Sequence, residues 1–215
     1  MMYVNTVTPF LHDCLLKLMR VELFSKLRLV GGTALSLQLG HRKSVDIDLF
    51  SDLPYGTIDF EKIEDFLSGA FDKVDFFADK NPGFGKSYTI ENRAGQSVKL
   101  DVFYTDDFIF DPVEINQIRM AGTAEIAAMK MDVIQRGGRK KDFWDIHELL
   151  RIHDLPTMIA FHKERYPYIH EAELLKTKLT DFLQAEDDFD PICLRGKYWE
   201  FIKEDLEEEV AKLPK

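Results

Sequence analysis

From Val45 to Phe50 the chain alternates strictly: Val45, Asp46, Ile47, Asp48, Leu49. Strand side chains repeat every two residues, so this spacing predicts a strand. Asp46 and Asp48 fall on one face, and Val45, Ile47 and Leu49 on the other. Ahead of it Leu27, Leu29 and Val30 read as a short buried strand. Between the two lie Gly31, Gly32 and Thr33, a helical segment over 34–39, and Gly40 to end it. Further upstream Phe10, Leu11, Cys14, Leu15, Leu18 and Met19 recur at helical spacing. They predict an amphipathic helix over 8–26, with Thr8 as its cap and Pro9 in its first turn.

Downstream, Phe60, Ile63, Phe66, Leu67 and Phe71 predict a helix over 59–72. Strand-like runs follow at 74–78, 86–91 and 97–104. Turn signals at Asn81-Pro82-Gly83 and Asn92-Arg93-Ala94-Gly95 separate them, and the second and third runs read as a hairpin. In the last run Val98, Leu100, Val102 and Tyr104 alternate with Lys99, Asp101 and Phe103. One more short strand is expected over 115–120. Beyond Thr123 the pattern is helical throughout: 123–136, 142–150, 158–165, 171–184 and 197–211. The fold class is therefore α+β, with an α/β part over 1–120 and a helical part over 121–215. No Gly/Ser linker marks the boundary, so the two parts are expected to pack tightly.

The chain has 215 residues, 45% of them hydrophobic, enough for a sizeable core. No apolar run approaches the length of a membrane span, and no secretory leader is recognisable. Cys14 and Cys193 stand in no metal-like spacing and fit a reducing, cytoplasmic setting. The formal net charge is −10; from Glu171 onward there are 13 acidic and 7 basic residues. That is not the basic footprint of a dedicated nucleic-acid-binding domain. The acidic run 204–209 reads as a solvated helix face.

Two carboxylates side by side on a strand repel unless they are solvated or share a cation. Hard oxygen ligands of this kind suit Mg²⁺, which takes one or two carboxylates and substrate phosphates. The glycines supply unobstructed backbone N–H groups at a helix start, where the dipole favours a phosphate. An Asp-x-Asp pair alone carries little weight in an acidic chain. Joined to Gly-Gly-Thr, a helix and a strand in this order, it carries much more. Asp101 sits among apolar neighbours on its strand. It reads either as an exposed edge-strand position or as a carboxylate that needs a partner. Lys130 by pattern alone is a surface residue. Asp142 and Asp145 share a helix face and by pattern serve a helix start.

The stretch from Gly31 to Phe50 resembles the polymerase-β-like nucleotidyltransferases, in which a glycine-Ser/Thr turn leads to an acidic Asp-x-Asp strand. Its fuller form, with Gly40-His41-Arg42-Lys43-Ser44 before Val45-Asp46-Ile47-Asp48, is similar to the AbiEii/AbiGii-type toxin nucleotidyltransferases of type IV toxin–antitoxin systems. Lys130, Arg136, Lys141-Asp142, Asp145 and Leu149-Leu150 resemble the second block of that family. The resemblance covers about residues 28–150. Threonine stands at 33 where many nucleotidyltransferases have serine.

The resemblance implies a polymerase-β-like core, a mixed sheet with flanking helices. It implies one or two Mg²⁺ ions held by Asp46, Asp48 and Asp101, the last also helping to deprotonate the attacking hydroxyl. Gly31, Gly32, Thr33, Arg42, Ser44 and Lys130 would hold the nucleotide. Lys130 and Asp142 would join the active site, with Asp145 orienting Lys130 or Arg136. The activity implied is transfer of a nucleotide from an NTP to a hydroxyl, with tRNA or another nucleic acid as acceptor and a separate antitoxin as partner. Two other readings stay open: an enzyme modifying a small molecule, as aminoglycoside nucleotidyltransferases do, and an inactive nucleotidyltransferase fold that acts by binding. Tyr166, Tyr168, Tyr198, Trp199 and Phe201 read as core rather than as base-stacking groups.

Overall fold

The computed structural model describes residues 2–76 and 83–214. In chain order its elements are α1 (Pro9–Met19), β1 (Arg28–Leu29), α2 (Gly31–Leu39), β2 (Asp46–Ser51), α3 (Phe60–Ala70), β3 (Lys73–Phe76), β4 (Gly85–Glu91), β5 (Ser97–Tyr104), β6 (Val113–Ile115), β7 (Ile118–Met120), α4 (Thr123–Gln135), α5 (Lys140–Leu149), α6 (Leu155–Arg165), α7 (Ala172–Lys178) and α8 (Trp199–Ala211). The strands form one mixed seven-stranded sheet in the order β3-β4-β5-β2-β1-β7-β6. With its flanking helices this is an α+β fold.

β2 lies at the centre. It runs parallel to β5 and antiparallel to β1. Ile47 and Leu49 of β2 are fully buried, as are Leu100 and Val102 of β5, and α1 packs here through Leu11, Leu15 and Leu18. Each such side chain stabilises the fold by about 1.5–3 kcal/mol. α2, α4 and α5 contact one another, and α2 packs on β2. α8 packs on α5, where the Trp199 ring stacks on Trp144 and meets Phe143 and Phe182 edge-on.

Several elements are shorter than the periodicity suggested. α1 ends at Met19, and Glu22–Phe24 form a separate 3₁₀ turn. α7 ends at Lys178 rather than 184. β2 begins at Asp46, leaving Val45 61% exposed instead of facing the core. The run at 115–120 is not one strand but the antiparallel pair β6 and β7, folded at Asn116 and Gln117, both with positive φ. α2 starts at Gly31, not after Thr33. Residues 77 and 78 of the strand expected over 74–78, and Asn81 and Pro82 of the turn after it, lie outside the described residues. Of the five aromatics read as core, only Trp199 is buried. Tyr168, Tyr198 and Phe201 are exposed, and Tyr166 lines a cleft.

Candidate active site

The polar face of β2 forms the floor of a cleft of about 780 Å³. Asp46 and Asp48 alternate with buried Ile47 and Leu49, as the strand period requires. The parallel register sets Asp48 opposite Asp101 and Asp46 opposite Lys99. Residues opposite one another in a ladder share a face, so the three carboxylates stand on one side of the sheet. Burial, then Asp101, then Asp46 push the Asp48 carboxyl up to about 6. The only ion pair among the three within the described residues is made by Lys99, whose Nζ lies 2.5 Å from Asp101 Oδ2. Asp101 Oδ1 is buried and has no hydrogen-bond partner among the described residues. Among the described residues no three Asp, Glu, His or Cys side chains are already gathered at metal-ligand spacing. The donor chemistry nonetheless fits a hard divalent ion: acidic oxygens, one without a partner, and a carboxyl whose charge is opposed by its neighbours.

Gly31 and Gly32 line the same cleft at the start of α2, whose cap offers no side chain to the first-turn amides. Both positions require glycine. Gly31 has φ +67°, and a Cβ there would come within 2.8 Å of Asp48 Oδ2. A Cβ on Gly32 would overlap Arg42 Nη2. Thr33 is not at the surface of the cleft. It is 1% exposed, its hydroxyl donates to the Asp46 carbonyl oxygen, and Ser44 Oγ lies 2.8 Å from it. Its side chain braces the turn against the acidic strand.

The rear wall is an ion-pair network centred on Asp145, which is fully buried. Its Oδ1 accepts from Arg42 Nε at 2.6 Å and from His41 Nε2 at 2.8 Å. Its Oδ2 accepts from Arg42 Nη2 at 2.8 Å and lies 2.7 Å from Lys130 Nζ. Burial opposes this charge, but Arg42 and Lys130 hold the carboxyl well below the usual carboxylate range. Burial likewise opposes the Lys130 charge, and Asp145 and Asp142 outweigh it, so its pKa is raised. Lys130 Nζ also donates to Asp142 Oδ1 at 2.6 Å, while Asp142 Oδ2 accepts from the Arg139 amide at 3.1 Å. Asp145 thus orients Lys130 and Arg42; Arg136 pairs with Asp132 instead. Arg136 and Arg139 remain largely exposed at the rim.

His41 carries no pattern of its own in the sequence and was not expected at the site. Nor was the C-terminal segment that clamps the Arg42 loop. Lys43 N donates to Ile192 O at 2.9 Å, Leu194 N donates to His41 O at 2.8 Å, and Arg195 bonds Leu39 O and Glu148. A second buried pair, Arg165 with Glu125, orders the loop after β5: Glu125 Oε2 accepts from Ile109 N and Phe110 N, and Arg165 donates to Asp107 O and Thr105 Oγ1.

A glycine turn at a helix start, carboxylates on two adjacent strands, and a buried lysine thus face one cleft. Residues 13–213 match the family described as nucleotidyl transferase AbiEii toxin, type IV TA system, and the chain belongs to that family. It is 28% identical over 218 residues to the uncharacterized protein aq_aa25 of Aquifex aeolicus (strain VF5), covering 94% of each. In fold it is similar to MenT4, a nucleotidyltransferase toxin of Mycobacterium tuberculosis H37Rv. The TM-score is 0.61 at 15% identity, covering 95% of this chain and 83% of that one. It is also similar to JHP933 of Helicobacter pylori, with TM-score 0.58 at 17% identity over 94% and 90% of the two chains. No helix among the described residues is long and apolar enough to cross a membrane.

Proposed function

We propose that this nucleotidyltransferase toxin is Mg²⁺-dependent and transfers a nucleotide from an NTP to a hydroxyl of tRNA, releasing pyrophosphate. The observation that carries the reading is the register of β2 on β5, which sets Asp46, Asp48 and Asp101 on one face beside the Gly31–Gly32 turn. Asp46, Asp48 and Asp101 would hold one or two ions. When bound, such ions lower the pKa of the attacking hydroxyl and neutralise charge on the leaving oxygen.

The chain's own groups do the rest. The amides at Gly31 and Gly32 receive the triphosphate at the positive end of α2. Lys130, kept charged by Asp142 and Asp145, balances its negative charge from the rear wall. Arg42 is fixed in a fork geometry by Asp145, and its Nη2 stands beside Gly32. Ser44 and Thr33 hold the turn against the strand. The acceptor oxygen bonds to the α-phosphorus as the bond to pyrophosphate breaks, and its proton passes towards Asp101. Much of the rate comes from positioning and fixed electrostatics. The domain division at residue 120 fits this scheme: the part over 1–120 supplies the carboxylates and turn, and the part over 121–215 supplies Lys130 and Asp142. A separate antitoxin and a cytoplasmic setting complete the proposal.

The test is incubation with each α-³²P-labelled NTP, Mg²⁺ and total tRNA, with and without EDTA. Label on tRNA that EDTA abolishes supports the reading. Label appearing only with a small-molecule acceptor favours the small-molecule enzyme instead, and no label with any acceptor favours the inactive binding fold.

A further inference from the structure

The carboxylate face holds one group that the family pattern does not assign. Lys99 lies opposite Asp46 in the β2/β5 register, two residues before Asp101 on the same strand. Its Nζ is 2.5 Å from Asp101 Oδ2, so it occupies an oxygen that a cation shared by these carboxylates would need. Of the other cations lining the cleft, Lys130 is committed to Asp142 and Asp145 and Arg42 to Asp145, while Lys141 makes no ion pair to these carboxylates among the described residues. An ammonium neutralises one charge, whereas the face carries three carboxylates. It also contacts one oxygen of Asp101 and leaves Oδ1 without a partner among the described residues. A divalent ion is the stronger partner for that set, because it brings twice the charge and takes several oxygens at once.

We propose that Lys99 is a tethered cation that holds Asp101 in the ion-free protein and gives up its oxygen to the divalent ion when the site assembles. This rests on the metal assignment made above. The exchange is sterically easy. The Lys99 side chain is 53% exposed. Beside it on the open face of the sheet is a groove of about 510 Å³, lined by Asp46, Asp75, Ser87, Thr89 and Ser97 as well as by Lys99 itself, so the ammonium finds carboxylate company there too. The lysine stem can turn into that groove without disturbing the core, while Asp101 is only 15% exposed and stays where β5 places it. Lys99 is thus a positioning residue: it keeps Asp101 aligned until the ion arrives, and it sets a threshold concentration for that ion.

The experiment is Mn²⁺ titration of the metal-free protein, with free Mn²⁺ read by its EPR signal. K99M keeps the stem and removes the charge; K99R keeps the charge. K99M is expected to bind Mn²⁺ roughly five- to tenfold more tightly than wild type, the scale of one charge-assisted contact at a partly buried site. K99R is expected to stay within about twofold of wild type on the same scale. The ion-free K99M protein is expected to melt lower than wild type and to recover with Mn²⁺; D101N in the K99M background should erase the gain. Equal or weaker Mn²⁺ binding by K99M overturns the exchange while leaving the metal site intact. Absence of Mn²⁺ binding in wild type and K99M alike overturns the metal assignment itself.

Discussion

Arg42 and Asp145 are 103 positions apart in sequence and meet in a two-pronged ion pair, Nε to Oδ1 at 2.6 Å and Nη2 to Oδ2 at 2.8 Å. Both are almost wholly buried, at 3% and 0% exposure. The contact joins the loop before the acidic strand to α5, and with Lys130 it locks the two walls of the cleft together.

Removing one partner of such a pair strands the other's charge in the interior. Asp145→Asn leaves Arg42 and Lys130 without their shared counter-ion. The expected loss is about 3–5 kcal/mol of stability, on the order of 10 °C in melting temperature for a chain of this size. Calorimetry reads this directly, and an unchanged melting temperature would show that the network contributes nothing.

The Asp48 carboxyl gives a pH signature. Its pKa is about 6 in the fold against an ordinary 3.8, so the folded state holds the proton more tightly. Stability of the metal-free protein must therefore fall as pH rises through the window between those values. Asp48→Asn removes the titration. Its urea midpoint should differ little from wild type near the acidic end and exceed it above pH ~6, where wild-type Asp48 carries its opposed charge. A midpoint difference that is constant with pH would show that burial and Asp101 do not perturb this group.

Gly31→Ala combines two penalties at one atom. Positive φ costs a residue with a Cβ about 1–2 kcal/mol, and the new methyl would press on Asp48 Oδ2. The variant should melt modestly lower and lose nucleotide transfer far out of proportion to that change. Melting curves and labelled-NTP assays at a temperature where the variant is folded separate the two effects.

Arg165 and Glu125 are both fully buried and hold the loop that carries Thr105 and Asp106 into the cleft. Arg165→Met leaves the Glu125 charge facing only the amides of Ile109 and Phe110. A destabilisation of about 3–5 kcal/mol is expected, with faster proteolytic cleavage in the loop over 105–111. Wild-type cleavage kinetics in the variant would mean that the pair does not order this segment.

The sequence made the floor of the site readable because a strand's period of two is written in Val45 to Leu49 without interruption. The glycine turn was readable too, since each residue there has a local conformational reason. What no local pattern carries is register. Nothing in the spacing of Asp101 says that it lies opposite Asp48, or that Lys99 therefore lies opposite Asp46. Burial was misjudged where the deciding contact is distant. Lys130 looked like a surface residue and is 6% exposed because Asp142 and Asp145 receive it. Thr33 looked like a ligand group, and its hydroxyl faces inward to Ser44 and the Asp46 carbonyl. The β6/β7 hairpin escaped notice because its turn uses Asn116 and Gln117 without the glycine that usually marks one.

Asp101 is proposed to complete a divalent-ion site with Asp46 and Asp48. Single-turnover transfer of an α-³²P-labelled nucleotide by Asp101→Asn tests it most directly, because the amide keeps the shape and removes the charge. The expected loss is about 10³-fold or more, the several kcal/mol that ion catalysis supplies, with the melting temperature close to wild type. Transfer at the wild-type rate would contradict it.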